Sequence, residues 1–147
     1  MIGVDCFRFG SQTDGNSSMR DVLGGKGANL AEMATLGIPV PPGFTLPAGT
    51  VPPASLMKSI RDGIQYLEDA TGKRFGNPAN PLLVSVRSGA RQSMPGMMET
   101  VLNVGLNERT ILGLAVGGQD STFAYSSYLR LIRMYAEIVM GIHIPER

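Results

Sequence analysis

At 147 residues, with 43% hydrophobic and 17% charged side chains, the chain is long enough for one domain with its own core and has an ordinary globular composition. A formal net charge of +1 argues against nucleic-acid binding by bulk electrostatics, and a single cysteine, Cys6, excludes an intramolecular disulfide and a cysteine-based zinc site. No apolar run is long enough for a signal peptide or a membrane span, so the cytoplasm is the expected setting, with neither nucleic acid nor membrane as partner.

Residues 1–23 read as a short strand over Val4–Phe9 and a polar turn, SQTDGNSS, in which Asp14, Gly15 and Asn16 favour a hairpin or tight loop. In GGKGANLAEMATLGIPVPPGF, Leu30, Met33, Ala34 and Gly37 recur at helical spacing. The helix is expected to start near Gly27 or Ala28 and to end with Gly37 at C′, leaving Lys26 in the glycine turn before it. A helix start offers unpaired amides, and a lysine there suits an anion; the same residue also reads as a surface lysine on a turn. Arg20 stands where a Walker A loop has its first glycine, and Gly27 follows the lysine, so this is not that motif. Pro39, Pro41 and Pro42 keep the next segment extended.

Residues 46–55, LPAGTVPPAS, read as a loop, and a helix follows over Ser55–Thr71 with Leu56, Ile60, Ile64 and Leu67 as its apolar stripe. The most informative stretch is Leu82–Leu106, LLVSVRSGARQSMPGMMETVLNVGL. It starts as a strand with Val84 and Val86 on one face and Ser85 and Arg87 on the other. It ends as a strand with Leu102, Val104 and Leu106 opposite Asn103. The loop between holds Arg87, Arg91, Gly89, Gly96, Met94, Met97 and Met98. Arginine forks match phosphate oxygens, glycine lets amides approach a ligand, and methionine adapts to a flat ring, which together point to a nucleotide. The same composition also serves a structural cover loop.

Asn107 is placed to cap a helix through Ala115, and residues 117–120, GGQD, break it. The last helix is expected over Ser121–Met140, with Phe123, Ser127, Leu131, Met134, Ile138 and Val139 buried and Arg130, Arg133 and Glu137 outside. Tyr125, Tyr128 and Tyr135 fall at the margin of the core. His143 belongs to no motif and reads as a solvated residue.

GGKGANLAEM at 24–33, IPVPPGFTL at 38–46, SVRSGARQSMPGMMETVLNVGL at 85–106 and FAYSSYLRLIRMYAEIVMGI at 123–142 together resemble the pyruvate phosphate dikinase family. The related phosphoenolpyruvate synthases share the Gly-Lys turn and a PVPPGF segment, but are expected to follow Val-Arg-Ser with an acidic, alanine-rich loop. The resemblance implies an α+β fold: a partial ATP-grasp-like nucleotide-binding domain, with a small mixed sheet flanked by helices. Residues 1–147 would be the N-terminal portion of that domain. It implies ATP as ligand and Mg²⁺ as cofactor. In the whole enzyme, ATP, phosphate and pyruvate give AMP, pyrophosphate and phosphoenolpyruvate by way of a phosphohistidine.

By the same resemblance Lys26 matches the nucleotide-site lysine and Arg87 the phosphate-contacting arginine. The segment Gly89–Met98, with Arg91, Ser93, Gly96, Met97 and Met98, matches the glycine-rich loop that closes over the triphosphate. Lys26 and Arg87 are then expected to face one cleft, within roughly 10 Å, where exposed charges still cooperate. No residue here matches a catalytic or metal-binding position. The acidic Mg²⁺ ligands, the acceptor histidine and the pyruvate-binding barrel are expected after residue 147. Two departures stand out: the chain is shorter than the family pattern near residues 47–54, and Glu99 replaces an Asp. Three functions remain open at this point: a fragment of a phosphotransferase, a stand-alone nucleotide module, and a non-catalytic interaction domain.

Overall fold

The computed structural model describes residues 6–47, 53–89, 100–116 and 120–145. In chain order the elements are β1 (Phe7–Phe9), a 3-10 turn (Ser17–Met19), α1 (Arg20–Thr35), β2 (Gly43–Thr45) and α2 (Pro53–Thr71). They continue with β3 (Val84–Arg87), β4 (Thr100–Val104), α3 (Glu108–Val116), α4 (Ser121–Met134) and a π-helical turn (Tyr135–Val139). The fold is mixed α and β. The expected single mixed sheet is instead two separate antiparallel pairs, β1 with β2 and β3 with β4. Of the described residues, those up to Gly72 together with Gly89 form one compact unit; those of 73–88 and from Thr100 onward form another.

In the first unit Phe7, Arg8 and Phe9 pair with Thr45, Phe44 and Gly43. β2 starts just after Pro41 and Pro42, which cannot donate to a ladder, so this is a short strand with one free side. α1 and α2 both pack on the pair. Tyr66 of α2 donates its hydroxyl to the Phe9 carbonyl at 3.0 Å, tying helix to strand. α1 ends in a Schellman motif. The Gly37 amide reaches the Ala34 carbonyl at 3.0 Å and the Ile38 amide the Met33 carbonyl at 2.9 Å, with Gly37 at φ 78 as expected for C′.

The buried face of α1 differs from the expected one. Leu23, Gly24, Gly27, Ala28 and Ala31 are inside, whereas Met33 is exposed and Leu30 half-buried. α2 begins two residues earlier than expected, at Pro53, and residues 48–52 lie outside the described part. Its inner face is Ser59, Gly63 and Leu67, one residue per turn; Leu56, Ile60 and Ile64 flank it, half-buried.

In the second unit Val84 pairs with Val104, Val86 with Val101 and Arg87 with Thr100. Two steps along β3 therefore oppose three along β4, so β4 carries one extra residue, and Asn103 takes the left-handed φ of 61 that such a bulge tolerates. The bulge overturns the expected alternation on β4: Val101 is buried, Leu102 and Val104 are only half-buried, and the inward row resumes at Leu106. Asn107 caps α3 as expected, its side-chain oxygen accepting from the Arg109 and Thr110 amides at 2.9 Å each. Thr110 completes a reciprocal cap by accepting from the Asn107 amide at 2.8 Å.

Asp120 caps α4 by accepting from the Thr122 amide at 3.0 Å. α4 does not run unbroken to Met140. From Tyr135 it widens into a π turn, closed by the Met140 amide on the Tyr135 carbonyl at 3.1 Å. The expected stripe is corrected accordingly: Ala124 is the fully buried residue, while Phe123 and Val139 stand exposed. The core of this unit is Leu82, Val101, Leu106, Ile111 and Ala124.

Candidate functional site

Gly24 interrupts α1 with φ 70 and ψ 170, a backbone that only glycine adopts without strain. The helix restarts at Gly25, so Lys26 sits in the first turn of the restarted run, not in a turn preceding it. A helix start presents unpaired amides and the positive end of its dipole, here around Gly25, Lys26 and Gly27. One side of this turn is closed: Gly27 is buried, and a Cβ there would lie 2.8 Å from the Thr45 hydroxyl of β2. The side at Gly25 is open among the described residues, with none of their atoms within 4 Å of such a Cβ. Lys26 is half-buried and forms no ion pair among the described residues.

Arg20 braces the turn by donating to Asn29 Oδ1 at 3.1 Å. It adds a second cation to this segment. Sequence reasoning passed over it, using Arg20 only to exclude a Walker A loop. The nine-residue separation joins two points on either side of the Gly24 break, and no helical periodicity reports that contact.

Of the other predicted residues, Gly89 lies close to this turn. A Cβ on it would be 3.9 Å from the Leu23 carbonyl, immediately before the Gly24 break. The residue that begins the predicted loop and the turn that carries Lys26 are thus neighbours in the first unit. Arg87 is the last residue of β3, in the second unit, exposed and without an ion-pair partner among the described residues. The loop it precedes does connect paired strands, as expected. Arg91, Ser93, Gly96, Met97 and Met98 lie outside the described residues.

A concavity of about 870 Å³ lies against β1 and α2, away from that turn, and is lined by Cys6, Arg8, Asp14, Lys58, Asp62 and Tyr66, among others. Both of its described cations are already paired with carboxylates. Arg8 Nε meets Asp14 at 2.7 Å and Lys58 Nζ meets Asp62 at 2.7 Å. The Arg8 guanidinium, hydrogen-bonded to Asp14, holds that carboxyl below the usual carboxylate range. Burial, helped by the nearby Asp14, pushes the Cys6 thiol up to about 11, so it stays protonated at neutral pH and is not poised as a nucleophile. Among the described residues of that lining an anion finds no uncommitted cation, unlike the Lys26 turn. Among the described residues no group of three or more His, Cys, Asp or Glu side chains is placed to hold a metal ion, and no helix is long and apolar enough to cross a membrane.

No family model matches the chain. Among curated proteins it is 51% identical over 146 residues to pyruvate, phosphate dikinase 1, chloroplastic, of Oryza sativa subsp. japonica, covering 92% of this chain and 15% of that protein. It is 50% identical over 146 residues to pyruvate, phosphate dikinase of Rhizobium meliloti, covering 92% of this chain and 16% of the relative. With the enzyme of the same name from Clostridium symbiosum it shares 49% identity over 138 residues, 88% of this chain and 16% of the relative. At about 50% identity over some 92% of its length, the chain has pyruvate, phosphate dikinases as its curated relatives, and it spans about 15% of the length of those it matches.

Proposed function

We propose that this chain is the ATP-binding part of a pyruvate, phosphate dikinase, the N-terminal portion of an ATP-grasp-type domain over residues 1–147. The observation that carries the reading is the helix restart at Gly24. Among the described residues it leaves Lys26 without a carboxylate partner at a first helical turn, and it has Gly89 beside it. Half-identity to dikinases supports the assignment. In this reading Lys26 and Arg87 share one triphosphate and offset its charge, while the Gly25–Gly27 amides orient it without reorganising. Gly89, Arg91, Ser93 and Gly96 close over the phosphates. Met97 and Met98 pack on the base. Mg²⁺ would supply further neutralisation of phosphate charge, and the carboxylates that would hold it are expected in the longer polypeptide, since no described group of His, Cys, Asp or Glu is placed to do so.

The whole reaction, in which ATP, phosphate and pyruvate give AMP, pyrophosphate and phosphoenolpyruvate, belongs to a longer polypeptide in this reading. The isolated chain should therefore bind Mg·ATP weakly, with a Kd above about 1 mM, and form no phosphoenolpyruvate. Titration calorimetry on the purified chain, beside Arg87→Ala, tests this. Tight binding that Arg87→Ala weakens would replace the proposal with a self-sufficient nucleotide module. Tight binding indifferent to both Lys26→Ala and Arg87→Ala would overturn the site.

The decisive arm uses a chimera in which this chain replaces the matching segment of the Clostridium symbiosum enzyme. Lys26→Ala or Arg87→Ala there should each lower kcat/KM for phosphoenolpyruvate formation by about 100-fold. A chimera that keeps full activity with both substitutions overturns the reading.

A further inference from the structure

Arg20 spans the break at Gly24. It belongs to the helical run before the break, and its guanidinium donates to Asn29 Oδ1, one turn into the restarted run, at 3.1 Å. Asn29 stands four positions after Gly25 and three after Lys26, so it shares a helical face with both. The anchor on Asn29 therefore holds the guanidinium on the side of the turn where Gly25 is open and Lys26 stands. It uses one of the five N–H donors of a guanidinium and leaves a complete two-donor edge with no acceptor among the described residues. No carboxylate offsets the charge either. Among the described residues neither Arg20 nor Lys26 forms an ion pair, Asp21 beside Arg20 included, and Glu32 is committed to the Ser17 amide. Two like charges held at one helical turn repel, and an anion between them reverses the sign. A brace alone needs no charge, since any neutral donor would satisfy Asn29.

We infer that Arg20 is a second phosphate-binding residue at this turn. Its free edge takes two oxygens of the phosphate chain, Asn29 holds the guanidinium in place, and Lys26 supplies a point charge beside it. The division of labour follows from the two side chains: a planar fork fixes the direction of a phosphate, whereas an ammonium on a flexible stem follows its charge. Arg20, Lys26, Asn29 and the Gly25 amide all lie in the first unit, so the contact needs no particular placement of the second. That the anion is a nucleoside triphosphate rests on the dikinase reading; the pairing of Arg20 with Lys26 around an anion does not.

Inorganic tripolyphosphate, titrated into the labelled chain and followed by NMR, tests this at millimolar affinity. The Gly25, Lys26 and Gly27 amides and the Arg20 guanidinium resonances should shift along one saturable curve. Arg20→Ala should weaken binding about tenfold and Asn29→Ala about twofold, because the latter loses the anchor and keeps the charge. Arg20→Gln keeps a donor for Asn29 without the charge, and should bind as poorly as Arg20→Ala. Arg20 is exposed, so the rest of the amide spectrum should be unchanged in each variant. Equal losses in Arg20→Ala and Asn29→Ala, or full affinity in Arg20→Gln, reduce Arg20 to a brace and overturn the inference. Amides that do not move by about 20 mM tripolyphosphate overturn it too. The dikinase reading is scored separately in the chimera with the Clostridium symbiosum enzyme. A chimera indifferent to Lys26→Ala and Arg87→Ala, with tripolyphosphate binding that Arg20→Ala weakens, overturns the nucleotide reading alone. A chimera sensitive to Lys26→Ala and Arg87→Ala, with tripolyphosphate binding that ignores Arg20→Ala, overturns the role of Arg20 alone.

Discussion

Asp14 works through several bonds to one residue, its carboxylate accepting from the Arg8 amide at 2.9 Å and from the Arg8 guanidinium at 2.7 and 2.9 Å. Its folded carboxyl is held below the unfolded value, chiefly by the Arg8 hydrogen bond, so its contribution to stability is present above about pH 4 and is lost as pH falls through the lower folded value. Glu32, which accepts from the Ser17 amide at 2.9 Å, has the same sign. Asp14→Asn should therefore lower Tm slightly at pH 7, and the difference from the parent should vanish in melts taken on the acid side of that window. The effect is small because the pair is open to solvent.

Thr110 is a stronger case. It is fully buried, donates to the Gly105 carbonyl at 2.9 Å and accepts from the Asn107 amide. Thr110→Val keeps the shape and strands both groups, and should cost about 1–3 kcal/mol in denaturant unfolding.

At the scale of elements, the helices bury small residues where apolar periodicity points to large ones. On α2, Gly63 lies under Phe44, and a Cβ there would come within 2.6 Å of the ring. The Ser59–Gly63–Leu67 face is the one that can approach the strands closely. Gly63→Ala should cost about 1–3 kcal/mol by overpacking, despite the higher helix propensity of alanine. Gly37→Ala offers the contrast: no described atom lies within 4 Å, and the cost is the left-handed backbone alone, about 1 kcal/mol. If the two variants lose equal stability, steric contact is not what selects the α2 face. On α4 the π turn inserts an extra residue per turn, which moves Val139 off the stripe that a continuous helix would have aligned.

At the scale of the whole molecule, an apolar groove of about 550 Å³ between β4 and the π turn, with Val139 and Met140 exposed in its lining, predicts that the isolated chain enhances the fluorescence of an apolar dye such as ANS while keeping cooperative unfolding, and that Val139→Lys reduces the enhancement. Dye binding that survives Val139→Lys would place the accessible apolar surface elsewhere.

Much of this was legible in the residues. Helix existence and ends follow from local chemistry: Asn107 and Asp120 cap through their own side chains, Gly37 and Gly72 stop helices by positive φ, and strands flank the loop after Arg87 as alternation implied. The GGKGANLAEM and SVRSGARQSMPGMM stretches carry the resemblance to the dikinases in residue order alone, within a chain about half identical to those enzymes. Tertiary structure alone decided the rest. Periodicity weighs side-chain size, but the face a helix buries is the one its partner can approach, and Phe44 selects Gly63 from 19 positions away. Strand pairing is likewise a choice between distant edges, so β1 joined β2, β3 joined β4, and the single sheet that alternation allowed became two. Neither the bulge at Asn103 nor the break at Gly24 has a periodic signature, and the latter is what turns a glycine-rich turn into a helix start that carries Lys26.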